Sequence, residues 1–473
     1  MHILGLAMES KVEVIRKLDI YKPIAHGIIN SREIKTQKNK TYFAEPHDDF
    51  VHHQSYHFPV ILLKDGSPWP DGNRYLLHKT KGIMPAKHRT LDSIARDLID
   101  FRRWLDNEEI DYLYFSKRTW GKPTYKYCSY LHEHIKSKKI ALTTAKRRMQ
   151  SIQGFYRWLE LDGRVFKHSL WRENDTYISF KNHHGFIKRK NITKTDLTTS
   201  FRTAKNTNNY SNQIEDGGKL RPLTTKEQYA IVQALKDISN IEMTLAFLIA
   251  LTTGARLQTV FTLRKSNFES VISDKKSYIK INTGAGTPVN TKYGKQIVLF
   301  LPHWLFERAQ IYISSQRYSS REKKSPHIYP NIDQQYAFLT RGGKPYYMAN
   351  DDPFESLYRT PPRGNAITLF IRQQLLPQLK KLNQNFTFRF HDLRATFGLN
   401  LLKQKFNSCN EAKSYTMNDP ELLTILMYLK ERMGHSDITT TMRYINYNVN
   451  FKTSMKIQNK FEKHLQNIRI ETK

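Results

Sequence analysis

Towards its C-terminus the chain reads MGHSDITTTMRYINY over residues 433–447. This stretch places His435 directly after a glycine and Tyr444 nine residues further along. Taken alone the pattern says little, because Gly-His pairs are common in loops and most tyrosines in such a position serve packing. The pattern becomes informative only together with earlier segments of the chain that carry arginine, lysine and histidine.

Two of these segments place arginines beside apolar helical patterns. The chain reads HDLRATFGLNLL over residues 391–402, so that His391 and Arg394 share one face if the segment is helical. It reads TTGARLQTVFTLR over residues 252–264, where Arg256 follows an apolar helix and a glycine. Neither segment is specific alone, since an H-x-x-R pair on a helix is usually an ordinary surface pair.

A predicted β-hairpin lies between these two segments. Residues 278–302 read YIKINTGAGTPVNTKYGKQIVLFLP, which predicts strands joined by glycine-containing turns. Lys292 and Lys295 fall near the start of the last strand. Side chains three positions apart on one straight strand face opposite ways, so only one of the two lysines is expected to reach a given site.

The order along the chain is arginine, lysine, H-x-L-R, Gly-His and tyrosine, and it resembles the motif set of the tyrosine recombinase (phage integrase) family. HDLRATF is similar to the family's HxLRHTF-type box, and GHSDITTTMRY to its GHxxxxTTxxY box, with the same spacing from histidine to tyrosine. FYRWLELDG, over residues 155–163, is similar to the end of the family's helical core-binding domain. FLTRGGKP, over residues 338–345, is similar to its FxSxxGxP segment.

The resemblance implies a catalytic set with Tyr444 as its nucleophile. The implied set is Arg256, Lys292, His391, Arg394, His435 and Tyr444. The implied reaction joins the tyrosine to the 3′ phosphate of a cut DNA strand and conserves the energy of the broken bond. The family's lysine lies at the hairpin turn, which favours Lys292 and leaves Lys295 as a charged neighbour that contacts DNA.

These residue types suit that chemistry on physical grounds. Charge accumulates on the non-bridging oxygens of a phosphodiester during in-line attack, and each preorganised donor aimed at them is worth about 3 kcal/mol. Arginine offers those oxygens a planar, permanently charged fork. Histidine can donate to the same phosphate or handle the tyrosine proton. A lysine can protonate the leaving 5′ oxygen. Because guanidinium groups stabilise the phosphate, the prediction includes no cofactor and no metal ion.

The sequence departs from the family pattern at one position. Many members carry an acidic residue three positions after the first arginine, whereas Thr259 stands three positions after Arg256 here. Arg256 is then either held less rigidly or held by another acid, such as Glu269 or Asp392.

The charge of the chain favours a polyanionic partner. Its 473 residues include 76 Lys and Arg against 43 Asp and Glu, a formal net charge of +33. Double-stranded DNA is the partner that such a charge favours, with anionic lipid as the alternative. Two cysteines exclude a disulfide framework, and the most apolar stretch, residues 241–252, is too short to span a bilayer. We therefore expect a cytoplasmic, nucleoid-associated protein without a membrane partner.

A basic helix is predicted before residue 163. One face carries apolar residues in register: Met149, Ile152, Tyr156 and Leu159. The other face carries the residues predicted to contact DNA phosphates: Lys146, Arg147, Arg148 and Arg157. The alternative is an ordinary solvated face.

The sequence predicts a multidomain α and α+β protein. Residues 1–80 are an N-terminal extension of uncertain role, and residues 81–205 are a helical SAM-like core-binding domain. Residues 206–218, which are polar and end in Gly-Gly, are a linker. Residues 219–473 are a mostly helical tyrosine-recombinase catalytic domain with a small β-sheet and a C-terminal tail helix. This tail has apolar residues at helical spacing over 451–468 and docks either on its own domain or on a neighbouring protomer.

Histidines cluster near the N-terminus, but their spacing matches no closed metal site. They are His47, His52, His53 and His57. No cysteine accompanies them, and a polar surface segment is the preferred interpretation.

The resulting prediction is a site-specific DNA recombinase of the integrase type, serving integration or excision of a mobile element. It is expected to act as a homotetramer on paired DNA sites and to be a monomer or dimer without DNA. Two alternatives remain. One is a type IB topoisomerase-like or hairpin-end-forming enzyme, and the other is a non-catalytic DNA-binding regulator with the same fold.

Overall fold

The computed structural model describes residues 9–20, 53–81, 86–181, 187–197, 201, 213–269, 277–327, 329, 331, 334–350, 352–408 and 420–447. The chain divides into two compact units, Met1–Asn206 and Thr207–Lys473. Helices are the commonest regular elements of both units among the described residues, and the named strands pair in two-stranded antiparallel sheets. The expected fold class of helical and α+β parts is therefore confirmed. The tail over residues 451–468, with His47 and His52, lies outside the described residues.

The described residues of the first unit include two antiparallel strand pairs and four helices whose bounds are fully described. Its elements are β1 (Lys11–Ile20), β2 (His53–Leu62), α1 (Pro70–Lys79), α2 (His88–Asn107), α3 (Pro123–Lys136), α4 (Leu142–Leu161), β3 (Glu173–Lys181) and β4 (Ile187–Thr195). The apolar face predicted for α4 is buried at Met149, Ile152, Tyr156 and Leu159. Gly163, with φ of +91°, follows the helix in a left-handed conformation that favours glycine.

Helix α1 was not predicted from the sequence. The stretch around it contains prolines and Asp-Gly, which indicate turns. Pro70 is instead the first residue of the helix, a position that needs no backbone N–H and suits the fixed φ of proline. The residues before and within α1 contribute Trp69 and Tyr75 to the core of the first unit. Part of the expected N-terminal extension is thus packed into the helical unit.

The second unit begins with a very short hairpin and continues with helices around a second one. Its elements are β5 (Ile214–Glu215), β6 (Lys219–Leu220), α5 (Thr225–Ile238), α6 (Ile241–Thr253), α7 (Leu257–Phe261), β7 (Tyr278–Thr283), β8 (Ile297–Pro302), α8 (His303–Ile313), α9 (Gln316–Glu322), α10 (Asn365–Phe370), α11 (Leu376–Lys381), α12 (Asp392–Ser408), α13 (Pro420–Met433) and α14 over residues 438–447. A π-helical segment, Ile371–Leu375, connects α10 to α11.

Local sequence explains how helices of this unit begin and end. The side chain of Thr224 accepts a hydrogen bond from the backbone N–H of Glu227, and the Glu227 carboxylate accepts one from the Thr224 N–H. This capping box starts α5. Helix α6 is apolar on nearly all sides and is buried, as its sequence predicts. It ends at Gly254, whose φ of +68° is left-handed.

Two apolar clusters hold the second unit together. The larger one contains residues from the helices α5 through α11 and from the β7–β8 hairpin. The smaller one joins the last helices to the first hairpin and includes Ile214, Leu220, Phe397, Leu426 and Tyr444. The segment around Tyr444 is thus packed against the segment that opens the unit.

Candidate active site

Arg394 is the most firmly held side chain of the predicted catalytic set. It lies in the first turn of α12, and only 3% of the residue is exposed. Its Nη1 donates to the carbonyl oxygen of Gly254 at 2.8 Å, and its Nη2 donates to that of Met433. These two carbonyls end α6 and α13, so the guanidinium orientation is set by two helix termini.

The remaining nitrogen of Arg394 meets an acid that the sequence patterns did not identify. Arg394 Nε donates to the Oδ2 of Asp216 at 2.8 Å. Asp216 lies between β5 and β6, within the stretch predicted to be a linker, and it is 3% exposed. The polar Gly-Gly stretch therefore ends in a structured hairpin, and its acid belongs to the site.

The same carboxylate meets Arg256, which precedes α7. Arg256 Nη2 lies 3.6 Å from the Oδ1 of Asp216. The acids considered from the sequence for this role lie elsewhere. Glu269 is 4.0 Å from Lys265, and Asp392 accepts hydrogen bonds from the backbone N–H groups of Arg221 and Arg389. The expectation that Glu269 or Asp392 holds Arg256 is therefore wrong.

His435 and Tyr444 complete the surroundings of the Asp216 carboxylate. His435 Nε2 lies 3.1 Å from Asp216 Oδ2, and its Nδ1 lies 3.0 Å from the hydroxyl of Thr441. The Tyr444 hydroxyl donates to Asp216 Oδ2 at 3.1 Å. Tyr444 is fully buried, and its ring centroid is 5.7 Å from that of His435. Three donors therefore converge on one carboxylate oxygen.

His391 and Lys292 lie near Gly217, in the turn between β5 and β6. A Cβ placed on Gly217 would lie 3.7 Å from Lys292 Nζ and 3.9 Å from His391 Nε2. His391 also hydrogen-bonds to the backbone of Asp216. The structure therefore brings the six residues of the predicted catalytic set around one short segment.

The two candidate lysines lie in a turn and not on a strand. Lys292 opens a short turn, Lys292–Gly294, and Lys295 follows it, while β8 starts only at Ile297. The two side chains are therefore not constrained to face opposite ways, as they would be on a straight strand. Partial removal from water lowers the pKa of Lys295, as do the nearby charges of Lys430 and Arg256. Both lysines are exposed.

The charges of the site are those of Arg256, Arg394 and Asp216, which are largely removed from water. Burial alone would raise the pKa of Asp216, but hydrogen bonding from His435 and the charge of Arg394 hold it well below its usual value. Burial, together with the charge of Arg394, lowers the pKa of Arg256 to about 10. At neutral pH the site therefore holds an ionised carboxylate and two guanidinium groups.

Tyr444 and the two histidines are neutral in this arrangement. Burial raises the pKa of the Tyr444 hydroxyl well above 10, and the charge of Asp216 raises it further against the opposing charge of Arg394. Burial lowers the pKa of both His391 and His435. The pull of Asp216 on His435 is the weaker effect, because the arginines oppose it and the ring is removed from water.

Gly398 leaves the space that the Tyr444 ring occupies. A Cβ on this α12 residue would lie 2.6 Å from Cε1 of Tyr444 and 3.0 Å from its Cδ1. No real Cβ approaches that closely, so glycine is required for the ring to sit where it does. The sequence offers no local signal for this requirement, because the contact joins residues in different helices.

Four of the five residues predicted to contact DNA lie on α4 of the first unit, where three of them pair with acids. Arg147 meets Asp97 at 3.0 Å, and Arg148 meets Asp100 at 2.6 Å. Arg157 meets Glu173 at 3.2 Å. These pairs give the arginines a structural role, and their contact with DNA stays a prediction. Lys146, also on α4, is half-buried.

Within the residues described, no group of three or more His, Cys, Asp or Glu side chains is arranged to hold a metal ion. None of the helices in that same part of the chain is both long and apolar enough to cross a bilayer.

Comparisons with known proteins found similar solved structures. No protein-family model matches the chain, and no curated protein sequence matches it. A XerH site-specific recombinase bound to its difH substrate is 11% identical, with 82% of this chain and 89% of that chain covered and a TM-score of 0.43. A Tn1549 transposon integrase bound to circular intermediate DNA is 16% identical, with coverages of 78% and 94% and a TM-score of 0.42. A lambda integrase dimer bound to a core site is 14% identical, with coverages of 79% and 94% and a TM-score of 0.43.

Proposed function

We propose that this chain is a site-specific DNA recombinase of the integrase type that cuts and rejoins strands through Tyr444. One observation carries the proposal. A tyrosine hydroxyl, a histidine and two guanidinium groups converge on a single anion, the carboxylate of Asp216. A site that holds a carboxylate between such donors has the charge and the hydrogen-bond donors to hold a phosphodiester.

The reaction is an in-line displacement at phosphorus. The Tyr444 oxygen attacks, a bond from phosphorus to the tyrosine oxygen forms, and the bond from phosphorus to the 5′ oxygen breaks. The tyrosine proton passes to a base, for which a neutral His435 is suited once its Nε2 no longer donates to Asp216 and the ring adopts the tautomer with Nε2 unprotonated. The 5′ oxygen leaves with a proton from a lysine, for which Lys292 at the turn is the favoured donor. The strand then carries a 3′-phosphotyrosyl bond, which a second 5′ hydroxyl can attack in reverse.

The arginines supply the largest part of the catalysis in this scheme. Arg394 is oriented before substrate arrives, because its Nη1 and Nη2 are already bonded to two carbonyls. A donor that needs no reorganisation stabilises developing charge at the phosphate more than a mobile one does. Arg256 faces the same position from the start of α7.

The partner and assembly follow from the proposed reaction. Exchange of strands between two DNA sites needs paired cuts, which four protomers on two duplexes provide. The net charge of +33 supports binding to double-stranded DNA. We infer a role in integration or excision of a mobile element and a location with the nucleoid in the cytoplasm.

Covalent trapping tests the nucleophile. The full chain is incubated with nicked duplexes from the DNA that flanks its own gene, and the products are run on a denaturing gel. We expect a protein–DNA adduct with the wild-type chain and none with Tyr444→Phe, because that variant lacks only the attacking oxygen. Tyr447→Phe, on the same helix, is the matched control and should form the adduct normally. An adduct at the wild-type level with Tyr444→Phe would refute the proposal.

Two additional arms of the experiment separate the alternatives. Adduct formation should persist in excess EDTA, because guanidinium groups and a lysine serve at the phosphate; loss on chelation that magnesium restores would indicate a metal-dependent nuclease. Relaxation of supercoiled plasmid without joining of two sites would indicate a topoisomerase-like enzyme. DNA binding without any adduct would indicate a non-catalytic regulator.

A further inference from the structure

We propose that Asp216 is a built-in substitute for the phosphate, which blocks the site until DNA displaces the hairpin that carries it. This hairpin, residues 214–220, is called the Asp216 hairpin below. The inference rests on the proposed function, since it takes the phosphodiester to be the anion that replaces the carboxylate. It assigns Asp216 an inhibitory role, in contrast to the permanent positioning role of the acid that follows the first arginine in the family pattern.

The geometry of the carboxylate is that of a bound oxyanion. Oδ2 lies 2.8 Å from Arg394 Nε and 3.1 Å from both His435 Nε2 and the Tyr444 hydroxyl. Oδ1 lies 3.6 Å from Arg256 Nη2. A carboxylate and a phosphodiester both present two oxygens that share one negative charge, so both use the same arrangement of donors.

A phosphodiester and this carboxylate cannot occupy the site together. For Tyr444 to attack, phosphorus must lie next to its hydroxyl, where Asp216 Oδ2 now accepts a hydrogen bond. Two negative charges in contact inside a buried pocket repel strongly, because little water is present to screen them. The carboxylate must therefore leave before a phosphate can enter.

Asp216 also holds the nucleophile in an unreactive form. Burial raises the pKa of Tyr444, and the negative charge of Asp216 raises it further, so the hydroxyl keeps its proton. The charges of the two arginines, which would favour a phenolate, are partly neutralised by the same carboxylate. Departure of the hairpin would thus free the anion site and lower the pKa of the tyrosine in one step.

The hairpin is held in a way that permits such movement. Its flanking residues Ile214 and Leu220 are buried in the apolar cluster that contains Tyr444. Between them are two glycines with positive φ, Gly217 at +69° and Gly218 at +157°. The strands are only two residues long, and their register is Ile214 with Leu220 and Glu215 with Lys219. The centre of the hairpin can therefore shift while its anchors stay in place.

A blocked site has a use in a strongly basic protein. Such a chain binds any DNA through its phosphates, so an open active site would meet phosphodiesters at every sequence. If displacement of Asp216 uses binding energy that only the correct site provides, cleavage becomes more selective than binding.

Binding of inorganic phosphate tests the proposal without DNA. Titration calorimetry compares the full wild-type chain with Asp216→Asn, which keeps the shape of the side chain and removes its charge. We expect the variant to bind phosphate at least about tenfold more tightly, because a like charge no longer occupies the site. Addition of Arg394→Gln to the variant should abolish the gain. Equal or weaker binding by a folded Asp216→Asn variant would overturn the proposal.

The neighbouring acid provides a matched control. Glu215 lies in the same hairpin, is exposed, and its carboxylate is 3.6 Å from Arg443. Glu215→Gln makes the same change of charge one residue away and should leave phosphate affinity within about twofold of wild type. A gain as large as that of Asp216→Asn would show that net charge alone is responsible, which refutes the proposal.

A measurement on the wild-type chain covers the case in which Asp216→Asn does not fold. Hydrogen exchange of the amides of residues 215–219 is followed with and without a saturating concentration of inorganic phosphate. Displacement of the hairpin should speed their exchange at least about tenfold, because the backbone bond from Asp216 N–H to the Gly218 carbonyl is lost. Unchanged or slower exchange would refute the proposal.

The adduct assay separates failure of this inference from failure of the proposed function. If Asp216→Asn gains phosphate affinity but neither it nor wild type forms an adduct, the blocked anion site stands and the recombinase proposal falls. If wild type forms the adduct and Asp216→Asn shows no gain in phosphate affinity, the recombinase proposal stands and the blocked site falls.

Discussion

The arginines of α4 and those of the candidate active site meet acids in different proportions. On α4 of the first unit each arginine has an acid of its own, as Arg147 has Asp97 and Arg148 has Asp100. In the second unit Arg256 and Arg394 share one acid with a histidine and a tyrosine.

The two proportions have different consequences. One acid per arginine leaves no charge to attract a further anion, and such pairs mainly tie one helix to another. Two arginines on one acid leave a surplus positive charge in a buried place, as Arg317 and Arg321 also do on the buried Glu242. The candidate site differs from that group because a histidine and a tyrosine hydroxyl contact the same carboxylate.

The largest expected effect comes from Arg394→Lys. Lysine keeps the charge but cannot bond to Gly254, Met433 and a phosphate with one planar group. We expect adduct formation on nicked DNA to fall by about 10²–10³-fold, measured as the initial rate on a denaturing gel. Arg148→Lys on α4 is the control and should change the rate by less than about threefold. Equal losses for the two variants would remove the distinction between the arginine groups.

A smaller effect is expected from Gly398→Ala. The added Cβ would overlap the Tyr444 ring, so the ring or helix α12 must shift. We expect a loss of about 1–3 kcal/mol in the free energy of unfolding, measured with urea, and a lower rate of adduct formation. Gly342→Ala, where a Cβ meets nothing within 4 Å, should stay within about 0.5 kcal/mol of wild type. Similar stabilities for the two variants would contradict the described packing of Tyr444.

A dependence on pH is expected from the buried histidines. The pKa of His435 is lower in the folded chain than in the unfolded chain, where it is about 6.5, so the unfolded state takes up the proton first as pH falls. The free energy of unfolding should therefore decrease as pH falls below about 6.5. Asp216 cannot cause this decrease, because its pKa is held below its unfolded value of about 4 and it stays ionised in both states.

The variant His435→Gln identifies the source of that decrease. It cannot take up a proton, so its stability should fall less steeply between about pH 7 and about pH 5.5 than that of wild type. Urea unfolding at several pH values measures both slopes. Identical slopes would mean that His435 is not buried in its neutral form.

The smallest effects are expected from variants on α4, which distinguish an arginine paired with an acid from a lysine that contacts DNA. Arg148→Gln leaves Asp100 without its arginine and should cost about 1 kcal/mol of stability. Lys146→Gln should leave stability unchanged and reduce the slope of log affinity against log salt by about 0.9, if Lys146 contacts a phosphate. Fluorescence anisotropy with a labelled duplex measures the slope. An unchanged slope for Lys146→Gln would indicate a solvated face.

Short motifs that resemble those of a known family implied the site residues that lie on or beside regular elements. Arg394, His435 and Tyr444 stand at fixed spacings near helix termini, and Lys292 stands in a turn marked by glycines. The capping box at Thr224 and the apolar face of α4 were predictable for the same reason. Each of these features depends on residues within one or two turns of the chain.

Asp216 was not predicted because its contacts are distant in sequence. It lies 178 positions from Arg394 and 228 from Tyr444, so no spacing rule connects them. Its surroundings did contain a signal, because Asp-Gly-Gly between Ile214 and Leu220 indicates a tight hairpin with apolar flanks. An acid at the turn of a buried hairpin is stable only beside a cationic group, so this pattern indicated that Asp216 pairs with an arginine, lysine or histidine.

The bonds from Arg394 to Gly254 and Met433 also limit how the length of the chain can change. Each residue inserted into an α-helix rotates the downstream residues by about 100° and advances them by about 1.5 Å. One extra residue in α6 or α13 would turn the terminal carbonyl away from the guanidinium. Insertions and deletions should accordingly be rejected inside the two helices.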